Sequence, residues 1–343
     1  MGWQLTTLVR RLQGVVWRGV GAPQAGGGRP PAPPAGLSSG PTAPSDAPAG
    51  EGAAAVDVAA ATAGRLRAML PVPDRARYDA LLAERPDAAP VLARALAATG
   101  SVPAVEHLAR RWAVLAPAER AAVADPVRVM AHAGRQTDPT TCGSASLTML
   151  AAAGDPLLAL WLGTGWLPPV GRPPELAGAG EERLGSLAHA PAELRFAALQ
   201  RVVKHRTNDR SVLGLPWPAR LGTPPWGAAR EARYPGVRYV HRMLDDTDRA
   251  DLAAVLDAVR DAVGRGVPVP LYAGGDTARG WATALPRHVV LAVGATAGAL
   301  VVWEPSAGRL ASLRTADLVA GRAAPAAALG GWNHLMWAVL PVG

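Results

Sequence analysis

The rhythm of hydrophobic and polar positions changes three times along this 343-residue chain. At the start, Trp3, Leu5, Leu8, Val9, Leu12, Val15 and Val16 recur at helical spacing with Arg10, Arg11 and Arg18 between them. Residues 1–20 therefore read as a basic amphipathic segment suited to docking on an anionic membrane surface or a protein partner. From Gly21 to Gly64 large apolar residues nearly vanish in favour of Gly, Pro, Ala and Ser. Such a stretch cannot bury enough surface to offset its ordering entropy, so 21–64 predicts a disordered linker. Periodicity returns at Arg65. Arg75–Glu84, Ala89–Ala98 and Ala104–Leu115 read as short amphipathic helices broken at Gly100 and Pro103, making 65–126 a small helical region with no visible chemistry.

Residues 127–343 mix the two periods and predict an α+β domain. Ser144–Ala153 reads as a helix ended by Gly154 and Pro156, and Pro191–His205 as a second. Thr223 followed by Pro224 and Pro225 resembles an N-cap opening a short helix through Ala232. Asp248 caps an amphipathic helix carrying Leu252, Val255, Leu256, Val259 and Val263 and closed by Gly264 and Gly266. The stretches Val237–Met243, Val267–Tyr272, His288–Val293, Leu300–Trp303, Leu310–Leu313 and Leu335–Leu340 have strand length and composition, with a small helix near Ala316–Ala320. Tight turns between the later ones, such as Ala295–Gly298, indicate an antiparallel sheet.

Composition narrows the function. The net charge of +8 is almost wholly arginine, since Lys204 is the only lysine, and the arginines are scattered among acids. No zinc-finger, helix-turn-helix or RNA-binding signature accompanies them, so nucleic acid is not an expected partner. No apolar run approaches the roughly 18 residues needed to span a bilayer. The one Gly-x-Ser-x-Gly match, beginning at Gly36, lies in the linker without a strand before it or a helix after it, which disfavours a serine hydrolase. The histidines form no metal-ligand spacing, and no cofactor fingerprint is present.

A single cysteine, Cys142, suits a reducing cytoplasm and cannot serve a disulfide framework. It sits in Gln136-Thr-Asp-Pro-Thr-Thr-Cys142-Gly-Ser-Ala-Ser146, at the predicted start of a helix. A thiolate is favoured at a helix N-terminus, and it needs a base, a group orienting that base and donors for an oxyanion. His288 opens a strand, and sixteen residues on Glu304 ends the next one before Pro305-Ser306-Ala307-Gly308. If the two strands pair as a hairpin, the Glu304 carboxylate returns beside the His288 ring. Gln136 and the Cys142 backbone N–H are the candidate oxyanion donors. Trp161, Trp166, Trp217 and Trp226 are available either to line a groove or to fill space beneath loops.

The order Gln136…Cys142-Gly143-Ser144-Ala145-Ser146, then His288-Val289-Val290, then Glu304-Pro305-Ser306-Ala307-Gly308 resembles the papain-like cysteine peptidase fold, and within it the bacterial peptidase C39-like branch. The resemblance covers about 127–343. It implies a helix bearing the cysteine packed on an antiparallel sheet that carries the histidine and acid. It implies peptide or amide cleavage through an acyl-enzyme on Cys142, His288 and Glu304, acting on a peptide or protein substrate without a cofactor. The family has Asp or Asn where this chain has Glu304, one methylene longer. Two further readings stand beside hydrolysis: a catalytically weak or inactive papain-like binding module tethered by residues 1–20, and acyl transfer or deamidation on the same residues. The expected location is the cytoplasm, at its membrane surface if the first segment docks there.

Overall fold

The computed structural model describes residues 57–342 except 178, 213, 276–284 and 321–325. The basic segment 1–20 and most of the predicted linker fall outside the described residues. Its end does not: helix α1 (Val58–Met69) begins inside the span read as linker, with Asp57 accepting from the Ala60 N–H as its N-cap. The reason is visible in its buried residues, Ala59, Thr62 and Ala63, which are small. A helix that packs through small side chains has the composition of a linker.

Helices α2 (Val72–Glu84), α3 (Ala89–Thr99), α4 (Val102–Val114) and α5 (Pro117–Ala124) complete a helical layer, followed by the single turn α6 (Pro126–Val129). Their core gathers Tyr78, Leu92, Leu96, Val105, Leu108 and Trp112. Leu157 and Leu160 belong to the same core although they come from the later region. They arrive on α8 (Pro156–Thr164), which follows α7 (Cys142–Gly154) after one residue. Pro156 therefore starts a helix rather than merely ending one. Asp155 explains this, because its Oδ1 accepts from the N–H groups of Leu157 and Leu158 and proline is tolerated in the first turn.

The remaining elements are α9 (Glu181–Ala188), α10 (Ala192–Asn208), α11 (Pro225–Glu231), α12 (Arg249–Gly264), α13 (Thr315–Val319) and six strands. The strands β1 (Arg238–Met243), β2 (Val269–Gly274), β3 (His288–Thr296), β4 (Ala299–Glu304), β5 (Arg309–Arg314) and β6 (His334–Val342) form one antiparallel sheet in the order β1-β6-β2-β3-β4-β5. The architecture is α+β. Strand β2 is buried throughout, as expected for a central strand read as a continuous apolar run. Both α7 and α12 pack on β3, and the main core runs through all three. Among the described residues no single helix is long and apolar enough to cross a membrane.

Candidate functional site

Cys142 is the first residue of α7, so its N–H has no intrahelical acceptor by position. The N-cap residue Thr141 does not fill the gap with its side chain. Its hydroxyl is turned back into the preceding loop, accepting from the N–H groups of Thr137 and Asp138. The helix end beside the thiol is left without a side-chain cap, where the helix dipole favours negative charge. One turn later the Ser146 hydroxyl donates to the Val289 carbonyl at 3.3 Å, which fixes α7 against β3 next to His288.

His288 is 6% exposed, and its Nε2 lies 2.6 Å from Glu304 Oε1, which is 2% exposed. The β3–β4 hairpin makes this contact possible. Leu291 stands opposite Trp303, so one further step along the register sets Glu304 against Val290. Glu304 is thus diagonal to His288 on the same face, a longer gap than between directly opposed residues. The extra methylene of glutamate spans that diagonal. The turn after β4 holds the carboxylate in place: the Ser306 N–H donates to Oε1, and the Ser306 hydroxyl and Ala307 N–H donate to Oε2, each at 2.8 Å.

Burial opposes charge on both partners, yet their contacts outweigh it. The Cys142 sulfur and the Glu304 carboxylate hold the His288 pKa up to about 9, against burial. The bonds from His288 and Ser306 bring Glu304 down to about 2, again against burial. The ring is further confined by Gly330, whose φ is +65°. A Cβ there would lie 2.6 Å from His288 Cδ2, so only glycine allows the backbone this close to the imidazole.

Cys142 and His288 line one cavity of about 240 Å³, together with Thr140, Trp217, Thr223, Tyr272 and Trp337 among others. Trp217 and Trp226 border it as an edge-to-face pair with centroids 5.3 Å apart. Of the other two tryptophans noted in the sequence, Trp161 is buried in the main core, and Trp166 packs on the helical layer beneath Arg111. Thr223 does not cap α11. Pro224 occupies the N-cap position, and Thr223 instead presses against Gly143, where a Cβ would come within 2.6 Å of the threonine Cβ.

Gln136 is not among the residues lining the cavity. Its Nε2 donates to the Asp138 carbonyl at 3.1 Å, and its backbone N–H donates to the Pro305 carbonyl at 2.9 Å. Arg135 Nε likewise reaches the Ser306 carbonyl. The loop before Cys142 is thereby tied to the turn that holds Glu304, while the Gln136 amide points along its own loop.

Several cavity residues had no signal in the chain. Tyr272 ends a predicted strand, but nothing in its neighbours marks it as adjacent to Cys142. Burial first, then the neighbouring Cys142, pushes its phenol well above the usual range, so it remains protonated. Gly330-Gly331 is a turn signal without a visible partner. No family model, curated protein or solved structure matches the chain, so the site's geometry carries the functional argument.

Proposed function

We propose that residues 127–343 form a papain-like thiol hydrolase that cleaves a peptide or amide bond through an acyl-enzyme on Cys142. The observation that carries this reading is the 2.6 Å bond between His288 Nε2 and Glu304 Oε1, made by the same histidine that shares a cavity wall with Cys142. With Nε2 engaged by the carboxylate, Nδ1 is the ring nitrogen left for the thiol.

In this scheme His288 takes the Cys142 proton, and the thiolate attacks the carbonyl carbon to give a tetrahedral oxyanion. The Cys142 N–H at the uncapped helix end donates to that oxygen, and Gln136 supplies the second donor once its amide leaves the Asp138 carbonyl. The C–N bond then breaks as His288 protonates the departing amine. Water, deprotonated by His288, attacks the thioester and releases the acid and free Cys142. Glu304 stabilises the imidazolium throughout and stays ionised, as its depressed pKa requires. The burial of Glu304 against His288 supports this reading, since an acid turned to solvent would leave the imidazole without an orienting partner.

The test is alkylation of Cys142 by iodoacetamide followed across pH in the wild type and in His288→Ala. The scheme expects a profile displaced from that of free cysteine in the wild type and restored toward it in the variant. Coincident profiles would remove Cys142 as the nucleophile.

A further inference from the structure

Charge and hydrogen-bonding capacity around the cavity are both one-sided. Among the described residues that line it there is no aspartate or glutamate, while Arg220 and Arg287 stand exposed at its mouth. Elsewhere the surface arginines of this chain commonly hold a carboxylate, as Arg67 does Asp79, Arg172 does Glu181 and Arg242 does Asp251. Arg220 and Arg287 have no such partner among the described residues. The imidazolium of His288 lies inside, its charge matched by Glu304.

The walls repeat the bias. The indole N–H groups of Trp217 and Trp337 and the hydroxyls of Thr223 and Tyr272 are buried beside the cavity without a hydrogen-bond partner. Tyr272 is 1% exposed and Thr223 5%. An indole can only donate, and a phenol held protonated donates readily, so the missing partner is an acceptor. Buried polar atoms are almost always satisfied, and four orphans on one cavity mark the place where a ligand's oxygens belong.

The geometry points to an acidic substrate: a peptide carrying an aspartate or glutamate beside the scissile bond. Its side-chain carboxylate lies between Arg220 and Arg287, and its acyl portion meets the donors of the inner wall. The inference rests on Cys142 being the nucleophile and adds what that nucleophile selects. Arginine suits the role because its planar fork matches a carboxylate in a bidentate contact.

The experiment compares alkylation of Cys142 in the full chain by iodoacetate, which is anionic, and iodoacetamide, which is neutral. The ratio of the two rates is referred to that of free cysteine. Because His288 itself attracts an anion, the decisive comparison is with Arg220→Ala/Arg287→Ala, checked for folding by its melting curve. We expect the ratio to fall by about tenfold in the double variant, and to fall similarly in the wild type at high salt, as field focusing by surface charge requires. Paired fluorogenic peptides differing only in Glu against Gln beside the cleaved bond should show a comparable preference in kcat/KM, abolished by the same double variant. A ratio insensitive to both arginines, or equal turnover of the paired peptides, overturns the acidic-substrate inference while leaving the nucleophile intact. Failure of the nucleophile has a separate signature: iodoacetamide alkylation no different from free cysteine and unchanged in His288→Ala.

Discussion

Arg233 and His288 are each held by buried carboxylates, and their surroundings differ. Arg233 donates through Nε to Glu175 Oε1 and through Nη2 to Glu175 Oε2 and Asp155 Oδ2, at 2.6 to 2.8 Å. The remaining Asp155 oxygen caps α8. Burial pushes Asp155 upward against the pull of Arg233, whose own pKa is raised by the two acids. Every carboxylate oxygen is used, and the cluster joins α8, the Pro174–Leu176 turn and the end of α11. In the other cluster, Glu304 is equally saturated by His288, Ser306 and Ala307. The difference lies on the cation. Arg233 gives three hydrogen bonds to its two acids, whereas His288 gives one to Glu304 and stands with Cys142 in the wall of one cavity. A buried charge pair is a structural device by default. Spare bonding capacity facing an accessible space makes one a candidate for chemistry.

That contrast can be broken most severely at the thiol. Cys142→Ala and His288→Ala should each reduce peptide or amide turnover by about 10⁵-fold or more, since members of a nucleophile–base unit fail together. Melting temperature should change little in Cys142→Ala, and combining the two substitutions should cost hardly more than either one. Additive losses in turnover would mean that the pair does not act as a unit.

Glu304→Ala should lower turnover by roughly 10⁴-fold, the scale seen when an orienting carboxylate is lost. Glu304→Asp is the sharper probe. The shorter side chain cannot span the diagonal to His288, so the variant should fall well below wild type even though aspartate is the residue of the resembled family. Full activity in Glu304→Asp would refute the diagonal-reach explanation.

Arg233 predicts the opposite pattern. Arg233→Met leaves Asp155 and Glu175 without their cation and should destabilise the fold by about 3–5 kcal/mol, read as a lowered denaturation midpoint. The alkylation profile of Cys142 in the molecules that remain folded should be unchanged. A selective loss of Cys142 reactivity without destabilisation would erase the distinction between the clusters. Gly330→Ala lies between the two, with an overpacking cost of roughly 1–3 kcal/mol and a displaced imidazole that lowers turnover.

The smallest effect is a titration. The His288 pKa is raised from 6.5 to about 9, so its contribution to stability is complete below pH 6.5 and is lost as pH rises through 9. Glu304 is lowered from 4.5 to about 2, so its contribution is complete above pH 4.5 and is lost as pH falls through 2. The stability gap between wild type and Glu304→Gln should therefore be widest between pH 4.5 and 6.5 and narrow toward pH 9. In Cys142→Ala the ring loses one of the groups holding its proton, and its NMR titration should fall below that of the wild type. A gap that does not vary with pH would deny the charged pair.

Much of this was readable along the chain where structure is local. The strands from β2 to β6 announced themselves by apolar runs between turns, and Asp248 marked the start of α12. His288 and Glu304 could be paired because a hairpin returns its second strand beside its first. What failed to show depended on distant neighbours or on small side chains. Helix α1 was concealed by packing through alanine and threonine, and Pro156 was read only as a terminator because Asp155 was not recognised as a cap. Gln136 was assigned from its spacing to Cys142, but spacing does not reveal that the Asp138 carbonyl competes for its amide. Arg220 and Arg287 are unremarkable in a chain with scattered arginines. Only the meeting of their loops at one cavity makes them a pair.

The bond from the Gln136 N–H to the Pro305 carbonyl, together with the contact from Arg135 to Ser306, has a consequence in time. It clasps two segments about 170 residues apart, so it closes only after the hairpin that bears Glu304 has been synthesised and folded. Contacts of such sequence separation form late, because the chain between them must be ordered first. A nascent chain exposing Cys142 has neither His288 nor Glu304 beside it. On the proposed reading, full reactivity of Cys142 would be withheld until the sheet is assembled, and its alkylation would report that folding is complete.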